Sequence, residues 1–147
     1  MTVLLLSLLF QLELPGPVGA AQITGRGIVL TLLRDHQILI LDHQLQIIRT
    51  IGQYGDGPND LNRPLQIFKR FNGRIWVYNL GNRSITVLNA DFSLRERFFL
   101  TPSMGLPIAQ SAKNLNRFTV LPNTGNAIYQ LVNWTYDQNL FATGGNC

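Results

Sequence analysis

The chain has 147 residues, which is enough for one ordinary domain with its own core. Hydrophobic residues make up 46% and charged residues 14%, with a net charge of +4. The basic residues are scattered and not clustered, so the sequence does not indicate a nucleic-acid groove. The only cysteine is Cys147, which excludes an internal disulfide, and the fold must be held by packing alone.

The first twelve residues, MTVLLLSLLFQL, form an apolar run of signal-peptide length, too short to span a bilayer comfortably as a helix. Helix-breaking and small residues follow, and Val18 and Ala20 have the spacing that a signal peptidase recognises. The sequence therefore predicts a signal peptide at residues 1–20 and a mature chain, 21–147, without a membrane span. The predicted location is secreted or periplasmic. The alternative is a buried first strand of the domain.

Three copies of one pattern follow at a period near 45 residues, roughly over residues 22–52, 62–100 and 107–144. Each copy has short runs rich in Ile, Val, Phe, Trp and Tyr between Gly, Asn and Asp turns, which is typical of β-hairpins. The second copy is the clearest, with turns at Asn72-Gly73, at Gly81-Asn82 and near Asp91. Its middle runs are apolar on both faces, whereas its last run carries charges.

Four antiparallel strands repeated every 40 to 50 residues predict the blades of a β-propeller, an all-β fold. In the first copy the innermost strand is not evident, and we expect the other end of the chain to supply it. The stretch IGQYGDGPNDLNRP, from Ile51 to Pro64, is predicted to link the outer strand of one blade to the innermost strand of the next.

This linker and the following GRIWVYNLGNRSITVLN resemble the NHL-repeat and related six-bladed, TolB-like propellers. The resemblance assigns a structural role in the linker to Gly52, Gly55, Gly57, Pro58 and Pro64. We expect backbone angles that disfavour a Cβ at Gly55 and Gly57. The resemblance implies about three blades of a six-bladed ring, either part of a longer propeller or a half that pairs with a second copy through its open blade edges.

Propellers gather their linkers and their second-to-third-strand turns on one face, which predicts a candidate binding surface of arginine and asparagine. Its members are Arg34, Asn62, Arg63, Asn79, Asn82, Arg83 and Asn126. Such a surface suits a protein or an anionic small ligand. We predict no cofactor, no metal site and no catalytic set. His36 and His43 are expected in different turns, and Asp56 and Asp60 are expected to solvate the linker.

The alternative function is enzymatic. The resemblance implies that related six-bladed folds host lactonases, lyases and esterases, whose catalytic residues would lie in blades that this chain does not contain.

Overall fold

The computed structural model describes residues 13–101, 106–111, 113–114, 117–121 and 130–133. These residues form strands, turns and one short 3-10 turn at Phe71–Gly73. The strands are β1 (Val18–Ile23), β2 (Ile28–Leu32), β3 (Gln37–Leu41), β4 (Ile47–Ile51), β5 (Pro64–Lys69), β6 (Ile75–Asn79), β7 (Ser84–Leu88), β8 (Leu94–Phe99), β9 (Leu106–Gln110), β10 (Arg117–Leu121) and β11 (Gln130–Asn133).

The strands pair as three antiparallel sheets, one for each copy of the sequence pattern. Blade 1 has the order β1-β2-β3-β4 and blade 2 the order β5-β6-β7-β8. Blade 3 has the order β11-β10-β9 within the described residues. The predicted all-β fold with four-stranded antiparallel blades is therefore confirmed.

Blade 1 contains its own innermost strand, and the expectation that this strand is missing is wrong. Strand β1 pairs with β2 through Ala21 opposite Leu30 and Ile23 opposite Ile28. The strand could not be recognised from the sequence, because its small residues have low strand propensity and follow two prolines. The predicted cleavage point after Ala20 lies inside β1.

The repeat of 47 residues is visible in the backbone of the turns. His36 and Arg83 have φ values of 56° and 53° in the turns between the second and third strands. Leu45 and Phe92 have φ values of 65° and 66° in the turns between the third and fourth strands. Left-handed conformations are uncommon for such residues, so their recurrence at equivalent positions supports the alignment of the first two copies.

The middle strands of blade 2 are buried because this blade is packed between blades 1 and 3. All positions of β6 and β7 are buried, whereas four of the five residues of β4 are exposed at the rim. Burial on both faces explains the continuous apolar runs of the middle strands, and solvent on one side explains the charges of the outer strands.

Two apolar clusters join the three blades. Blade 1 contributes Val29, Ile38 and Ile40 to the first cluster, which includes Ile67 and Val77 of blade 2. In the second cluster, blade 2 packs against blade 3 through rings. Trp76 and Phe68 contact Phe118 with ring centroids 6.3 and 5.2 Å apart. Apolar burial of this kind is the main favourable contribution to folding.

The linker requires glycine for two reasons, a left-handed backbone at one position and close contact with a side chain at others. Gly52 has a φ of 90°, a left-handed conformation that favours glycine. Gly57 does not have a positive φ, so the expected backbone strain at this residue is wrong. A Cβ on Gly57 would instead lie 2.6 Å from Asp60 Oδ2, which accepts a 2.9 Å hydrogen bond from Gly57 N. Gly55 has a φ of 159°, and a Cβ on it would lie 2.8 Å from Asp60 Cγ.

We expect Gly52→Ala to lower the free energy of unfolding by about 1–3 kcal/mol, because alanine is disfavoured at a φ of 90°. The added Cβ would also lie 2.6 Å from Leu61 Cγ. Gly25→Ala is the matched control, since no heavy atom lies within 4 Å of the Cβ position there. Thermal and urea denaturation measure both variants. Equal stability of the two variants would contradict the strained-turn assignment.

Candidate functional site

The linker is bonded to the second-to-third-strand turns of both complete blades. Leu80 N donates to Arg63 O at 2.9 Å, and Gly81 N donates to Asn62 O at 3.0 Å. On the other side, Arg63 N donates to His36 Nδ1 at 3.0 Å. The linker (residues 52–63) and the turns at residues 33–36 and 80–83 therefore lie at one end of the blades. We call this surface the linker–turn face.

Five of the predicted site residues belong to the linker–turn face by these contacts: Arg34, Asn62, Arg63, Asn82 and Arg83. Asn82 connects the turn to the linker, because its Nδ2 donates to Asp56 Oδ1 at 3.4 Å. Its Oδ1 accepts a 2.7 Å hydrogen bond from Ser84 Oγ. Asn126 lies outside the described residues.

Arg63 is held by its backbone and exposed at its side chain. It has a φ of 56°, and both its N–H and its carbonyl oxygen are hydrogen-bonded. Within the described residues, its guanidinium group makes no hydrogen bond or ion pair. Arg34 is exposed on the neighbouring turn. The face thus presents two guanidinium groups, one of them on a fixed backbone.

Sequence reasoning missed a histidine–tyrosine pair next to Arg63. The rings of His36 and Tyr54 are tilted by 58° with centroids 4.6 Å apart, and Tyr54 is 69% exposed. Since His36 Nδ1 accepts a hydrogen bond from Arg63 N, the neutral ring carries its proton on Nε2. His43 lies in a different turn, with its Nε2 3.3 Å from Gly25 O. The prediction that the two histidines are separate is confirmed.

Arg97 connects the linker to blade 2 through hydrogen bonds. It is on strand β8, where its Nη2 donates to Asp56 O at 2.8 Å and its Nη1 donates to Asp60 O at 3.4 Å. Its guanidinium carbon lies 5.1 Å from the centre of the Phe99 ring. Arg97 is therefore a structural residue, and the alternation of charge along β8 is the only sequence signal of its role.

Asn79 does not belong to the exposed face, although it was predicted there. Its side chain is fully buried, and its Nδ2 donates to Ser84 Oγ at 3.2 Å and to Thr86 Oγ1 at 2.9 Å. Asn79 ends β6, and its side chain packs into the sheet because the blade is covered on both faces. It joins two neighbouring strands and is not available to a ligand.

Arg83 is half-buried and directed in part toward the blade interior. Burial raises the pKa of Tyr78, and the positive charge of Arg83 opposes that rise. Arg83 O also accepts a 2.7 Å hydrogen bond from Leu100 N, which follows β8. Arg83 therefore positions the turn in addition to contributing charge at this end of the blade.

A second concave surface lies along the three innermost strands. The cavity has a volume of about 320 Å³, and its lining residues are Gln22, Gln66, Ile67, Phe68, Lys69, Ala109, Gln110 and Ser111. The Gln110 amide bridges blades 2 and 3, because its Oε1 accepts from Lys69 N at 2.9 Å and its Nε2 donates to Lys69 O at 2.6 Å. This glutamine bonds backbone groups at the open edge of β5.

Within the described ranges, no group of three or more His, Cys, Asp and Glu residues is placed to hold a metal ion. In the same ranges, no helix is long and apolar enough to cross a membrane.

Comparison with known proteins gives structural neighbours only. No family model and no curated protein matches the sequence. A "Putative exported protein" from Bacteroides fragilis NCTC 9343 has a TM-score of 0.54 and 16% identity, over 86% of this chain and 41% of the neighbour. A streptogramin B lyase has a TM-score of 0.51 and 15% identity, over 90% of this chain and 45% of the lyase.

Both neighbours are propeller proteins. The chain has a propeller fold. At these identities the likeness shows the fold alone, and the chain spans less than half the length of either neighbour. The comparisons do not show membership of the NHL-repeat family or a count of six blades.

We expect the phenol of Tyr78 to ionise above its ordinary pKa of about 10, because burial disfavours the charged form. Its contribution to stability is therefore complete below the pKa of the unfolded chain and is lost as the pH rises through the raised pKa. Arg83→Ala should raise the pKa of Tyr78 further. Ultraviolet titration of tyrosinate measures this shift, with Tyr78→Phe to assign the late step. A downward shift in Arg83→Ala would contradict the placement of Arg83.

Proposed function

We propose that the chain is part of an NHL-like propeller binding module that recognises a protein or an anionic small ligand through the linker–turn face. The proposal rests on the bonded backbone and the exposed side chain of Arg63. Its backbone is bonded to a turn of each complete blade, while its side chain is exposed and makes no hydrogen bond or ion pair within the described residues.

An arginine held in this way suits anion recognition for two reasons. Its planar fork can donate two hydrogen bonds to one carboxylate or phosphate group. Its fixed backbone also reduces the ordering that binding requires. The exposed Arg34 on the adjacent turn adds a second cation, and Tyr54 adds an exposed ring for apolar contact.

Arg63 and Arg83 have different roles in this proposal. Arg63 contacts the ligand. Arg83, half-buried beside Tyr78, holds the turn that accompanies the linker. Removal of Arg63 should therefore weaken binding without lowering stability, whereas removal of Arg83 should lower stability as well.

We also propose that the protein is exported to the periplasm or secreted. The apolar run at residues 1–12 and the fold likeness to the Bacteroides neighbour, which is described as exported, support this location. Fractionation of cells that express the full chain tests it, since recovery in the cytoplasm alone would contradict export.

A propeller lyase or hydrolase is the second candidate. Its support is the fold likeness to the streptogramin B lyase. It ranks second because its support is a likeness of fold alone. The binding proposal is supported by exposed arginines of this chain itself. Turnover of streptogramin B by the purified protein would favour the enzyme over the binding module.

Titration with a fluorescent oligoglutamate peptide and with inorganic phosphate, at low salt, tests the binding proposal. We expect Arg63→Ala to weaken binding of at least one probe by about tenfold, or about 1.4 kcal/mol. Arg63→Lys should restore only part of the affinity, because an ammonium group lacks the planar fork.

Arg26→Ala is the matched control, because Arg26 is an exposed arginine in the turn between β1 and β2, outside the linker–turn face. Equal effects of Arg26→Ala and Arg63→Ala would indicate general charge attraction and contradict a defined site. Failure of both probes to bind would exclude recognition of simple carboxylates and phosphates.

A further inference from the structure

The segment that precedes β1 is packed against blade 1. We call residues 13–17 the strap. Leu14 contacts a cluster of four leucines on β2 and β3, each at most 8% exposed: Leu30, Leu32, Leu39 and Leu41. Gly16 lies so close to the Asp35 carboxylate that a Cβ on it would overlap Oδ2. Two separate contacts therefore fix the strap on the blade.

The four leucines lie on the face of blade 1 that is turned away from blade 2. Successive residues of a strand point to opposite faces. Val29, Ile38 and Ile40 belong to the cluster shared with blade 2, so the alternating leucines occupy the other face. A contiguous apolar face is unfavourable when it is exposed to water. Leu14 covers part of this face.

The residues between the strap and the predicted cleavage point also belong to the fold. Val18 is opposite Leu32 in the β1–β2 ladder, and Ala20 N donates to Thr31 Oγ1 at 2.9 Å. A Cβ on Gly19 would lie 3.2 Å from Leu65 O of blade 2. The first half of β1 thus contributes to the contact between the innermost strands of two blades.

These contacts give a packing reason for the small residues that resemble a cleavage site. Gly19 and Ala20 allow β1 to approach Thr31 and the backbone of β5 closely. Before Leu14, the small residues are Thr2, Val3 and Ser7, and no two of them form a small-x-small pair. The small residues at Gly19 and Ala20 are therefore accounted for by packing, without a peptidase.

We propose that the chain is not cleaved after Ala20, and that the protein retains the strap as a permanent cover of the leucine face of blade 1. Cleavage after Ala20 removes the strap and half of β1 together. It removes the contact of Leu14 with the four leucines and breaks the Ala20–Thr31 hydrogen bond. The proposal concerns where the chain is cut, and it is independent of the binding site and of export itself.

Amino-terminal sequencing and intact mass of the full chain, recovered from the periplasm or medium, test the proposal. The expected first residue is Leu14 or an earlier one. A mature protein that begins at Ala21 would overturn it. If no exported form is recovered, the variants below test whether the strap covers the leucine face.

Full-chain Leu14→Asp should place a carboxylate against the leucine cluster, lower the melting temperature by about 4 °C or more, and increase binding of a dye specific for exposed apolar surface. Glu13→Gln is the control, because Glu13 is exposed beside it. If Leu14→Asp does not fold, Leu14→Ala should give a smaller decrease in the same direction. Melting curves of both Leu14 variants that coincide with that of the control would overturn the proposal.

Discussion

The hydrogen bonds at the end of the linker are the interactions on which the rest of this arrangement depends. Arg63 N is bonded to blade 1, and the carbonyl oxygens of Asn62 and Arg63 are bonded to the turn of blade 2. They fix where β5 begins, and with it the register in which blade 2 packs on blade 1. The same bonds place an exposed guanidinium group at a set position between two turns, so architecture and candidate site have one origin.

The second constraint is that a blade has two apolar faces and cannot leave either in water. Between blades 1 and 2 the need is met by aliphatic residues, and between blades 2 and 3 by stacked aromatic rings with Arg70, whose guanidinium carbon lies 4.2 Å from the centre of the Trp76 ring. On the remaining face of blade 1 the strap contributes Leu14. Packing demand therefore accounts for Leu14, which closely follows a run whose composition suggests an export signal.

Much of the fold could be predicted because strand runs and turn residues are local signals. The repeat predicted equivalent turns in successive blades, and His36 and Arg83 share one backbone conformation in those turns. Side-chain direction could not be predicted. Asn79 is buried because other blades cover both faces of its sheet, and Arg97 is bonded to a linker carbonyl that is distant in sequence. Strand β1 was missed because Gly19 lies close to the backbone of β5 and Ala20 is bonded to Thr31 of β2, contacts that no local pattern reveals.

Hydrogen bonds hold the end of the linker between the two turns. Amide hydrogen exchange measured by nuclear magnetic resonance tests it most directly, at the three N–H groups of Arg63, Leu80 and Gly81. All three should be protected and should lose protection together when the linker is destabilised. Exchange at the rate of an unstructured peptide, in a protein whose β6 and β7 amides remain protected, would contradict it.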